Sequence, residues 1–150
     1  MARPLKQGLE YFPLDVRMFR DKKIRVLSYL AGPLAEIIYI RILTMIYENG
    51  YYLEVSIDEL SKILHIDIGP QWHRIERISE CVNACLEAGL FDKTLAAQGV
   101  ITAESVQRQY LLSTQRRKDI DITKYWLLES SPLMREGGSL SASKFVVNDN

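Results

Sequence analysis

The side chains best suited to chemistry in this chain are cations, and they gather in two places. Gln71, His73, Arg74 and Arg77 stand at the front of a periodic run at 71–88, and Arg108, Arg116, Arg117 and Lys118 lie along and just after a second run that starts at Thr102. Arginine can grip guanine O6 and N7 with two parallel hydrogen bonds, and glutamine can pair with adenine in the same manner. A helix start adds attraction for phosphate. The chemistry on offer is recognition of double-stranded DNA, with Gln71, His73, Arg74 and Arg77 as base readers. Arg108, Arg116, Arg117 and Lys118 would serve as backbone contacts, and Lys93 is one further cation between the clusters. Against base reading, positions 71–88 hold two arginines and three glutamates (Glu76, Glu80, Glu87), a poor balance for insertion between phosphates. A solvated face with pairs four residues apart is the other account. The second cluster is opposed within its own run only by Glu104, and cations that complement a helix C-terminus are the alternative there.

Other chemistries lack their parts. Cys81, Cys85 and His73 suggest zinc, but a tetrahedral site needs four convergent ligands and there is no CxxC pair and no second pair of cysteines. Small core residues are the better reading of both cysteines. His65 has no partner in a recognised catalytic order, no glycine-rich phosphate loop occurs and the carboxylates are scattered. The sequence therefore predicts no catalysis, no metal and no cofactor.

Nineteen basic and nineteen acidic side chains cancel, so no whole-chain field draws the protein to phosphate and any DNA contact must come from a local patch. Cysteines four apart on a helix cannot easily close a disulfide, which fits reduced thiols and a cytoplasmic setting. The opening residues lack the order of an export leader. The most apolar stretch, 34–47, carries Glu36 and Arg41 and is shorter than the roughly twenty residues of a membrane span, so it reads as a buried helix and no membrane partner is expected.

The elements that must position these residues follow from periodicity. In 21–31, Ile24, Leu27, Leu30 and Ala31 recur at helical steps, and Gly32-Pro33 supplies a stop and a new start. In 34–48, apolar residues almost encircle the axis, as in a central helix. Residues 51–55 predict a brief strand, and Ser56 and Glu59 have capping-box spacing for a helix ending near Leu64. Gly69-Pro70 precedes the helix at 71–88, on which Ile75, Ile78, Val82, Cys85 and Leu86 line one side. Residues 90–95 and 100–101 predict two strands around a small-residue turn, the candidate wing. Thr102 can cap a last helix to Arg117, with Val106, Tyr110, Leu111 and Thr114 inward and Gln107, Arg108, Gln115, Arg116 and Arg117 toward solvent.

Helix, helix, strand, helix, turn, helix and hairpin is the order of a winged helix. The expected fold class is mainly α with a small β-hairpin, a winged-helix (helix-turn-helix) domain with an extra C-terminal helix. A 47% hydrophobic content is enough for one such core. The expected organisation is a domain over 1–118 with an N-terminal arm at 11–19, a docked appendage at 119–129 and a serine- and glycine-rich flexible tail at 130–150. The arm carries Phe12, Leu14, Val16 and Phe19 with little helical order, which suits packing across a neighbouring subunit or folding back on its own domain.

The opening block from Arg3 to Val16 resembles the start of the phage replisome organiser N-terminal family, a domain of unknown function with a DnaD-like winged helix. Further blocks agree: Tyr47 to Leu53, Gly89 to Lys93, and Gly99 to Thr102 with Val106 to Leu111 and Thr114 to Lys118, so the resemblance covers residues 3–118. It implies phage or prophage DNA replication, self-association through the same domain and contact with replication proteins. Members of that family continue into a longer C-terminal region absent from these 150 residues, so no replisome-engaging part is carried over. The competing reading is a protein-interaction or dimerisation winged helix with no nucleic-acid binding, which the zero net charge favours.

Overall fold

Gly32-Pro33, expected to separate two helices, instead makes a kink within one element. In the computed structural model, which describes residues 7–128, α1 runs Lys22–Asn49, with Gly32 at φ 77° and ψ −170°. A positive φ of that size strains any residue with a Cβ, and Pro33 fits the first turn of the second half because its missing N–H would have no helical acceptor there. One contact spans the bend, the Ser28 hydroxyl donating to the Glu36 carboxylate, and a second meets it from α3 (Ile75–Glu87), the Arg77 guanidinium donating to the Ala31 carbonyl. At 28 residues α1 is longer than the 34–47 stretch, and it is long and apolar enough to cross a membrane by length and composition. Ile38, Ile42 and Ile46 have no exposed surface, however, and the helix is the centre of the core, as the encircling pattern predicts.

The α2 helix (Ile57–Ile68) begins as its sequence indicates, with Ser56 Oγ accepting from the Glu59 amide at 3.1 Å. It continues four residues past the expected end at Leu64. The α3 helix (Ile75–Glu87) starts later than expected: the amide of Trp72 donates to the Gly69 carbonyl at 3.0 Å, and Arg74 is the N-cap residue. Gln71 and His73 are therefore turn residues ahead of the helix rather than its first turn. Ile78, Cys81, Val82 and Cys85 form the buried face of α3, which packs on α1 and α2.

The expected hairpin wing is not formed. Residues 93–97 make a short helix, α4 (Lys93–Ala97), because Asp92 caps it, its carboxylate accepting from the Leu95 amide at 2.9 Å, and Ala96 and Ala97 favour helix. With its expected partner helical, β2 (Val100–Ile101) pairs antiparallel with β1 (Leu53–Glu54), which precedes α2, in the register Leu53 to Ile101 and Glu54 to Val100. The fold class stands as mainly helical with a small two-stranded antiparallel sheet, winged-helix-like in element order, but the sheet joins distant segments instead of projecting beside α3.

The last helix, α5 (Glu104–Ser113), is shorter than expected and Ala103, not Thr102, occupies its N-cap. Thr102 is buried and its hydroxyl donates to the Tyr51 carbonyl. Gln107, expected in solvent, is fully buried: its amide donates to the Tyr125 carbonyl at 2.9 Å and accepts from the Leu127 amide at 2.7 Å. That pairing, with Tyr51 donating to the Lys124 carbonyl at 2.6 Å and Ile120, Ile122 and Leu128 buried, lays residues 119–128 along the domain as irregular chain with a bend at Lys124-Tyr125. At the other end, Gln7 donates to the Asp121 carbonyl and accepts from its amide, both at 2.8 Å. A Cβ on Gly8 would lie 2.0 Å from the Glu48 carbonyl oxygen, so only glycine lets the arm approach α1 this closely. The tail at 130–150 and residue 129 lie outside the described residues, as do residues 1–6.

Candidate functional site

The base-reading set divides by environment. Gln71 and Arg74 are exposed and His73 is half-buried, its carbonyl accepting from His65 Nε2 at 2.9 Å. Arg77 is committed to the fold. One of its nitrogens caps the Ala31 carbonyl at the α1 bend and the other pairs with Glu80 at 3.1 Å, so presenting it to a base would release a carbonyl from its donor. Glu76 and Glu80 are exposed on the same helix. With no wing beside it, this surface has two open polar residues, Gln71 and Arg74, and a tryptophan, Trp72, at 71% exposure.

The backbone-contact set is also split. Arg108 is exposed and paired with Glu104 at 2.8 Å, one turn earlier on α5. Arg117 turns inward: one nitrogen donates to the Gly8 carbonyl at 2.8 Å and the other to Gln7 at 3.3 Å, while the Tyr110 hydroxyl meets the same Gln7 carbonyl at 2.8 Å. It fastens the arm to α5. Arg116 and Lys118 face solvent.

Lys93 and Arg108, fifteen positions apart, line one groove of about 1150 Å³ between the arm, the middle of α1, α4 and the start of α5. Its floor is apolar, with Met18, Tyr39, Leu90, Phe91 and Val106 all buried. Three exposed cations not singled out from the sequence, Arg17, Arg20 and Lys23, stand on the rim with Lys93. Their signal was present as three basic residues at three-residue steps ahead of and into α1, but periodicity alone does not show which cations face a cavity. Among the described residues, none of these four side chains is in a salt bridge. Four carboxylates, Asp15, Asp21, Asp92 and Glu104, line the same groove; Asp15 accepts from the Arg17 amide at 2.7 Å, Asp92 caps α4 and Glu104 holds Arg108. With Arg108, five cations and four carboxylates line the groove, so its rim is of mixed charge over an apolar floor.

The two thiols are chemically quiet. Burial, with Cys81 beside it, pushes the Cys85 thiol up to about 12, and burial raises Cys81 as well. Both stay protonated at neutral pH, and a thiol rather than a thiolate is a poor nucleophile. No group of three or more His, Cys, Asp or Glu residues converges as a metal site among the described residues.

The Lin1244/Lin1753-like N-terminal family matches residues 11–106. An uncharacterized phage-related protein, Lin1244/Lin1753, of Listeria innocua serovar 6a is 34% identical over 134 residues, which cover 86% of this chain and 42% of that protein. The chain thus spans less than half the length of this curated relative. No solved structure matches it. A match over most of the folded region, together with a relative that aligns with 86% of the chain, places this protein in the phage-related Lin1244/Lin1753-like N-terminal family.

Proposed function

We propose that this domain is a DNA-contacting assembly module of phage genome replication, the role implied by its resemblance to phage replisome organiser proteins. The observation that supports it is the pair α2 and α3, packed as a helix-turn-helix whose turn carries Gln71 and Arg74 into solvent ahead of α3. The contact is to the DNA backbone more than to base edges, because Arg77 is spent on the Ala31 carbonyl and Glu76 and Glu80 border the same surface. Arg116 and Lys118 supply further exposed cations. The role involves no catalysis, metal or cofactor, and operates in the cytoplasm with Cys81 and Cys85 reduced.

Fluorescence anisotropy of a labelled duplex at two salt concentrations tests this. Binding should fall steeply as salt rises, and Arg74→Ala with Arg116→Ala should weaken it and flatten the log–log slope by about 0.9 for each phosphate no longer neutralised. Retention at background level, unchanged by those substitutions, would leave the second reading, a protein-interaction module that touches no nucleic acid. That reading draws on exposed apolar side chains, chiefly Val16 at 97%, Tyr29 at 90%, Tyr11 at 86% and Trp72 at 71% exposure.

A further inference from the structure

Residues 119–128 are held on the domain in two different ways. The first part is anchored by side chains, with Ile120 and Ile122 buried. The second part, 124–128, is held largely through its backbone. Tyr51 donates to the Lys124 carbonyl, and the Gln107 amide brackets Trp126, donating to the Tyr125 carbonyl and accepting from the Leu127 amide. Every polypeptide carries these groups, so the contacts do not depend on which side chains come with them. The receiving side chains are fixed in place: Tyr51 and Gln107 are fully buried, and Gln107 also donates to the Thr102 hydroxyl at 3.2 Å. With 124–128 removed, the Gln107 oxygen would lose its donor beside the apolar core, which favours replacement over vacancy. The resident side chains, however, fit imperfectly. The Trp126 ring meets Tyr51 edge-on with centres 5.1 Å apart, yet its Nε1–H is buried and has no acceptor among the described residues. Tyr125, at φ 56°, is in the left-handed region that disfavours a bulky side chain. Both costs fall in 124–128 and neither in 119–123.

We infer that 124–128 is the displaceable resident of a peptide-binding site made by Tyr51 and Gln107, and that a short segment of another protein binds by taking its place. The two misfits define that segment. A phenylalanine where the chain has Trp126 keeps the ring against Tyr51 and carries no N–H to leave unmet. Asparagine or glycine where it has Tyr125 adopts the left-handed turn more readily. A leucine two positions after the ring fills the place of Leu128, which is buried. Displacement pivots between Thr123 and Lys124, and Ile120 and Ile122 keep the first part seated, so the domain stays folded while the site changes occupant.

The probe is a fluorescein-labelled peptide with the sequence of residues 123–128 carrying Tyr125→Asn and Trp126→Phe, followed by anisotropy on the full 150-residue chain. In the parent the resident segment competes; in a Trp126→Ser, Leu128→Ser variant it is weakened, so the peptide should bind that variant about tenfold more tightly or better. Adding Gln107→Leu, with circular dichroism retained, should remove the gain, and a peptide with the native residues should bind less tightly than the altered one. Equal binding to parent and variant, no binding to a variant that keeps the parent's circular dichroism, or a gain that survives Gln107→Leu overturns the inference. So does a native-sequence peptide that binds more tightly, or a variant that pairs into dimers which the peptide does not dissociate. Native-state hydrogen exchange on the unaltered chain decides the matter should the variants fail to fold. The Leu127 amide should exchange through a local opening, well before the amides of α1. Exchange of Leu127 only with global unfolding would rule displacement out.

Discussion

The two halves of α1 are built from similar residues and end in opposite circumstances. After Pro33, Ile38, Ile42 and Ile46 have no exposed surface, and Ile37, at 50%, is the one large apolar side chain of that half left exposed. Before Gly32, Ile24, Leu27 and Ala31 are buried in a single stripe, while Val26, Tyr29 and Leu30 on the other side are exposed at 39, 90 and 41%. The bend at Gly32 lets one half enter the core while the other lies at its edge, against the 3-10 turn Met18–Arg20. An apolar side chain reports burial only where another element arrives to cover it. In the first half the uncovered side chains serve no need of the monomer's own fold.

Three substitutions probe this contrast. Ile42→Ala removes a fully buried side chain from the covered half and should cost about 2–5 kcal/mol, read as a large drop in the urea midpoint. Arg77→Ala leaves the Ala31 carbonyl at the joint without its donor and should cost about 1–2 kcal/mol, because the arginine is partly exposed and the freed carbonyl is partly rehydrated. If it costs nothing, the bend is held by Gly32 and Pro33 alone. Tyr29→Ser, in the uncovered half, should shift stability by less than about 0.5 kcal/mol in thermal denaturation. A cost at Tyr29 approaching that at Ile42 would mean that the two halves do not differ after all.

The sequence was most readable where one local signal dominated. The Ser56–Glu59 cap, the encircling pattern of 34–48 and the buried stripe Ile78, Val82 and Cys85 each appear where periodicity or cap spacing places them. The wing failed because two local signals competed: the β-leaning Leu90 to Leu95 pattern yielded to the Asp92 cap and the Ala96-Ala97 pair. Once α4 formed, β2 took the distant Leu53–Glu54, a pairing that no local pattern encodes. The site candidates were legible as charge but not as availability. Arg77 and Arg117 read as solvent-facing cations, yet each is drawn to backbone carbonyls 46 and 109 residues away. Arg17, Arg20 and Lys23 became a coherent group only when the fold set them around the same cavity as Lys93.

The Gln7–Asp121 amide pair joins positions 114 residues apart. Closing so large a loop adds only a logarithmic entropy term, so the latch is inexpensive to keep but has little to hold it until the central helices have formed. It should therefore snap shut late in refolding. A pull applied between those two positions would open the latch before straining the interior.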